Sequence, residues 1–137
     1  MGRSILMQGG IRNRKPRVLI VEDESIVGMH LTAIVEDMGC EAVGPASLAI
    51  TALPIVLHDQ LDAAVLDILL IDRSVGPVAD ALARKGVPFA FVTAYSPDSL
   101  PVAHRERPYV HKPFLDGEIR TVLEALLAQT ALSSSAP

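Results

Sequence analysis

Apolar residues in this chain come in short unbroken runs, and most of the runs stop abruptly on a polar group. Arg17-Val18-Leu19-Ile20-Val21 is closed by Glu22-Asp23-Glu24. Residues 62–68 carry Ala63-Ala64-Val65-Leu66 onto Asp67, residues 88–93 end on Thr93, and Tyr109 to His111 leads to Lys112. Continuous rather than alternating apolar character predicts strands buried on both faces, as in a parallel sheet. A further short strand is expected over 41–44. The intervening segments have helical spacing. Val27, Leu31, Ile34, Val35 and Met38 share one face and Gly39 supplies a stop; Val78, Ala81 and Leu82 precede Gly86. Ile119, Val122, Leu123, Leu126 and Leu127 form the clearest stripe, with Asp116 placed to cap it. A helix over 47–58 is expected to be capped by Ser47 and to be bent or broken at Pro54. Pro97, Pro101 and Pro108 leave room only for a short or distorted fourth helix between residues 95 and 108. Five strand–helix units with right-handed crossovers predict an α/β, doubly wound, five-stranded parallel sheet of order 2-1-3-4-5, with helices on both faces.

Length and composition fit one domain. The 137 residues are 50% hydrophobic and 20% charged, enough to bury a core without cross-links. The ordered part is expected over 16–129, between a flexible N-terminal arm (1–15) and a disordered, serine-rich tail (130–137). A net charge of -4 offers no overall attraction for nucleic acid. No run has the length of a membrane span or a secretory signal, so a soluble, cytoplasmic protein is expected. Cys40 is the single cysteine, which excludes an internal disulfide or a paired-cysteine metal site and reads as a small buried residue.

Chemistry enters when the strands are set side by side, because parallel strands deliver their carboxyl ends to one edge. That edge would collect Asp23, Asp67, Thr93 and Lys112. Crowded carboxylates repel one another and call for a hard cation, and Mg²⁺ suits one or two carboxylates with a phosphate oxygen. With the metal present, Lys112 and the Thr93 hydroxyl can each contact a phosphoryl oxygen, which makes Asp67 a phosphoacceptor. His111 precedes Lys112 on an alternating strand and so faces away from it, towards the Tyr109 side. His30, His58 and His104 have no metal-ligand spacing.

Val-Leu-Ile-Val-Glu-Asp-Glu at 18–24, Ala-Val-Leu-Asp at 64–67, Phe-Val-Thr-Ala at 91–94 and Tyr-Val-His-Lys-Pro-Phe at 109–114 together resemble the receiver domain of bacterial two-component response regulators. The likeness extends to stand-alone alphaproteobacterial receivers, and the implied fold is flavodoxin-like. By this resemblance Asp67 takes a phosphoryl group from a histidine kinase or a histidine phosphotransfer protein. Asp23 and Asp67 bind Mg²⁺, with Glu22 nearby and the Leu69 backbone carbonyl contributing. Thr93 and Lys112 assist catalysis, Thr93 and Tyr109 form a switch pair, and Pro113 follows a cis peptide. Leu69, Ala94 and Tyr95 govern access to the phosphoryl group. The domain would not be an enzyme in the ordinary sense but would assist its own phosphorylation and dephosphorylation. It would signal to an unknown downstream protein or relay phosphate; the alternative is a non-switching protein-binding module on the same fold.

Two departures from the family pattern lie beside the site. Ile-Leu-Leu-Ile-Asp at 68–72 lacks the proline and glycine that commonly shape the loop after the acceptor, and the 95–108 connection is short and proline-rich. Other classes fit worse. A haloacid-dehalogenase-type phosphatase needs a general acid two residues past the nucleophile, where this chain has Leu69. A dinucleotide-binding fold needs glycines where it has Glu22-Asp23-Glu24.

Overall fold

Each apolar run becomes a strand, and the order in which the strands lie side by side places the polar groups. The computed structural model describes residues 14–72 and 74–134. Strands β1 (Arg17–Val21), β2 (Glu41–Ala46), β3 (Ala63–Leu66), β4 (Phe89–Thr93) and β5 (Tyr109–His111) form one sheet of order β2-β1-β3-β4-β5. All pairings are parallel. The fold predicted from the apolar runs is therefore the fold observed.

Helices α1 (Ser25–Asp37), α2 (Ala49–His58), α3 (Gly76–Arg84) and α4 (Asp116–Ser134) complete it. They divide between the two faces, and each face has its own core. Leu31, Ile34 and Val35 of α1 and Ile119, Leu123 and Leu126 of α4 pack against Val18, Ile20, Val65 and Val92. Ala52, Val56, Val78 and Leu82 of α2 and α3 cover Leu19, Leu66, Phe89 and Phe91 on the other face. Central strands with both faces covered explain why β3 and β4 show no alternation in sequence. Cys40 lies buried at the start of β2, beneath α1, and its thiol is pushed up to about 11 by burial and by the negative charge of Asp62.

Several local expectations change. Strand β2 extends to Ala46, past the predicted end at Gly44, because Glu22 N–H donates to the Ala46 carbonyl across the strand end. Strand β3 is shorter than residues 62–68. Ser47 does not cap α2; the helix begins at Ala49 with Leu48 at the cap position and no side-chain bond from it. Pro54 does not break that helix, which is continuous from Ala49 to His58 with an exposed proline inside it. Asp116 is not the cap of α4 but its first residue. Its carboxylate meets His30 Nε2 at 2.7 Å, while Glu118 accepts from the Leu115 N–H at 2.8 Å. Helix α4 also continues through the beginning of the expected tail, where the Thr130 hydroxyl donates to the Asp62 carbonyl. At the other end Arg14, within the expected arm, pairs with Asp62 at 2.9 Å; residues 1–13 and 135–137 fall outside the described residues.

The connection from β4 to β5 contains no α-helix. Two short 3₁₀ turns, Pro97–Ser99 and Val102–His104, replace it, as the three prolines require. His104 is buried and bonded to Asp80 at 2.7 Å, and Arg107 lies 4.2 Å over the Phe89 ring. Among the described residues no helix is long and apolar enough to cross a membrane.

Candidate functional site

Register brings the polar strand ends together. Val21 pairs with Leu66 and Thr93 with His111, so the residues that follow, Glu22, Asp67 and Lys112, emerge at the same edge. Backbone bonds continue the ladder there, from Asp67 N–H to the Val21 carbonyl at 2.9 Å and from Lys112 N–H to the Thr93 carbonyl at 2.8 Å. A cavity of about 260 Å³ opens on this edge, lined by Asp23, Glu24, Asp67, Leu69, Ala94, Tyr95 and Lys112.

Lys112 is the centre of charge. Its ammonium donates to Glu24 Oε1 at 2.9 Å, Glu22 Oε2 at 3.0 Å and Asp67 Oδ2 at 3.2 Å. Burial by itself would lower its proton affinity, but bonds from Glu24 and Glu22 outweigh that and hold it above an ordinary lysine. Glu22 is also buried, and desolvation raises its carboxyl to about 7 against the opposing pull of Lys112. One ammonium among three carboxyl groups leaves the pocket short of positive charge.

The arrangement fits a hard cation. Carboxylate oxygens of Glu22, Glu24 and Asp67 lie within 4.8 Å of one another. Glu22 Oε1 is buried and makes no directed hydrogen bond, although the Lys112 ammonium stands 3.0 Å from it. An all-oxygen donor set of this kind suits Mg²⁺ rather than a softer metal. Glu24 was not singled out from sequence, where only its place in an acidic triplet could have signalled it. Asp23 lines the same cavity but is not in the tight cluster.

The other expected site residues are distributed as follows. Thr93 is fully buried and its hydroxyl accepts from the Tyr95 N–H at 3.0 Å. Leu69 and Tyr95 are about half exposed over the opening, with Ala94 between Tyr95 and the strand. The Lys112–Pro113 peptide is cis. Tyr109 lies apart from Asp67, half-buried, with its ring against the core beneath α2 and α3 and an edge on a cleft shared with His111 and α4. His111 and His58 are exposed, and none of the four histidines belongs to the cavity.

No family model matches the chain. A curated relative does: the phyllosphere-induced regulator PhyR of Methylorubrum extorquens is 34% identical over 115 residues, covering 80% of this chain and 43% of PhyR. The chain thus spans less than half the length of that relative. Among solved structures, the receiver domain of the response regulator PhyR from Erythrobacter litoralis is 32% identical, with a TM-score of 0.73 over 83% of this chain and 91% of that one. SdrG from Sphingomonas melonis is 38% identical, with a TM-score of 0.72 over 82% and 97% of the two chains. Sequence shared with PhyR, and with these structures over nearly their full length, on a closely similar fold, means that this chain belongs to the response-regulator receiver domains of two-component signalling.

Proposed function

We propose that this domain receives a phosphoryl group on Asp67 from a phosphohistidine of a kinase or phosphotransfer protein and passes the signal to a partner protein. The observation that carries the reading is the convergence of Asp67, Glu22 and Glu24 on the half-buried Lys112 ammonium, beside an open cavity at the sheet edge that Asp67, Glu24 and Lys112 line. In the transfer an Asp67 oxygen bonds to phosphorus as the phosphorus–nitrogen bond breaks, and the imidazole leaves with a proton. Lys112 already contacts Asp67 and can follow its charge onto the phosphoryl oxygens. Thr93 offers its hydroxyl from the neighbouring strand. Glu22, Asp23, Glu24 and Asp67, with the Leu69 carbonyl, are the groups available to hold Mg²⁺, which when bound would neutralise the acidic pocket and the incoming phosphoryl charge.

Intact-mass measurement after incubation with acetyl phosphate and Mg²⁺ tests this. Wild type should gain one phosphoryl adduct, and Asp67→Asn, of nearly the same shape, should gain none while remaining folded. No adduct on wild type would leave the chain a non-switching binding module; an adduct of normal yield on Asp67→Asn would place the acceptor elsewhere.

A further inference from the structure

The loop that follows Asp67 is fastened to a helix that lies far from it in sequence. Helix α2 has no side-chain cap of its own. Its first amides instead donate to Asp72, from Ala49 N–H to Oδ1 at 2.9 Å and from Ile50 N–H to Oδ2 at 3.1 Å. A carboxylate at a helix start is favoured by both the unpaired amides and the helix dipole. Asp72 lies five positions beyond Asp67. The chain folds back on either side of Asp72, with Leu69 bridged to Ser74 and the Val75 N–H donating to the Ile68 carbonyl at 2.9 Å. Ile68 and Leu70 are buried in the α2–α3 core, whereas Ile71 is exposed. Near Asp67 the Ile68 amide is held by the aspartate's own Oδ1, at 2.8 Å. The loop's own backbone contacts thus close it locally, and Asp72 adds its polar link to α2, in a segment without proline or glycine at positions 68–72.

We propose that Asp72 is a positioning residue for the acceptor: by gripping the start of α2 it fixes the backbone at Ile68 and Leu69, and so the setting of Asp67 and the Leu69 carbonyl. This rests on the phosphoacceptor reading above. Removing the tether should loosen the loop and weaken the cation site, in the way that loss of an orienting outer partner weakens metal sites generally.

The test separates tethering from simple helix capping. Asp72→Ala removes both bonds; adding Leu48→Asp returns a cap to α2 from its own cap position without reattaching the loop. Two readouts on the full chain are used, amide exchange at Ile68 and Leu69 without metal, and Mg²⁺ affinity by calorimetry. Asp72→Ala should speed exchange at these two amides and weaken Mg²⁺ binding by roughly 10-fold. The double variant should regain thermal stability but neither loop protection nor affinity. Recovery of both by the double variant, or wild-type values in Asp72→Ala, would overturn the proposal. If wild type binds Mg²⁺ but takes no phosphoryl group, the acceptor reading fails while the tether is still judged by exchange and affinity.

Discussion

Glu22 is a carboxyl group whose surroundings favour its neutral form, and its charge state sets how the pocket responds to pH. Burial raises it to about 7 from an ordinary value of 4.5, and the nearby Asp67 charge adds to this while Lys112 opposes it. A carboxyl whose folded value is raised contributes stability that is complete below 4.5 and is lost as pH rises through about 7. The metal-free protein should therefore lose stability across that interval, seen as a falling midpoint in thermal melts. Mg²⁺ reverses the preference by favouring the ionised form. Its affinity should decline as pH falls below about 7, and binding near that pH should release protons, which calorimetry in buffers of different ionisation enthalpy measures. Leu69 and Tyr95 would bear on a different event under the proposed function, the loss of the phosphoryl group to water. Both stand over the opening, about half exposed, and neither is a carboxylate, amide or imidazole of the kind that orients an attacking water. Self-dephosphorylation should be slow for a receiver, and Leu69→Asn with Tyr95→Glu should accelerate it about 10-fold, about 1.4 kcal/mol of barrier, in a Mg²⁺-containing decay assay.

At the scale of single elements, two glycines with positive φ separate backbone preference from crowding. Gly39 ends α1 at φ 85° with nothing near the place a Cβ would occupy. Gly44 has φ 95°, and a Cβ there would lie 2.8 Å from the Ile20 carbonyl oxygen and 2.7 Å from the Ala46 nitrogen. Gly39→Ala should cost about 1 kcal/mol, the conformational penalty alone, whereas Gly44→Ala should cost roughly 3 kcal/mol or more, both read by chemical denaturation. Gly39 was legible in sequence because it follows a helical stripe. The start of α2 was not, because the carboxylate that caps it comes from Asp72, 23 residues away from Ala49, and local rules favoured Ser47. Pro54 misled for a related reason: a buried apolar face of Ala49, Ala52 and Val56 holds the helix together across it.

For the whole molecule, the proposed signal output would depend on whether a change at the sheet edge reaches Tyr109. Thr93 and Tyr109 stand on neighbouring strands, and the connection between them is pinned by His104 to Asp80, by Arg107 over Phe89 and by Arg105 to the Asp98 carbonyl at 2.8 Å. A phosphoryl group that draws in the Thr93 hydroxyl would free room beside the half-buried Tyr109 ring. Spectra of the free and phosphorylated protein should differ at Tyr109 and along β5; unchanged resonances there would uncouple this pair. Sheet order was readable because fully covered strands such as Ala63–Leu66 must be apolar throughout, and the polar residues that end them are then forced to one edge. What pattern could not supply is how side chains reach across that edge. Glu24 joins Glu22 and Asp67 through its contact with Lys112, a convergence set by rotamers and not by spacing.

The buried thiol of Cys40 should leave the native chain slow to react with maleimide dyes. With no other cysteine in the sequence and burial raising its pKa to about 11, its modification should await opening of the edge of the sheet beneath α1. A fluorophore attached to a cysteine newly introduced on the exposed face of α4 would therefore report from one known position, while the slow modification of Cys40 in the same sample times the opening of the fold.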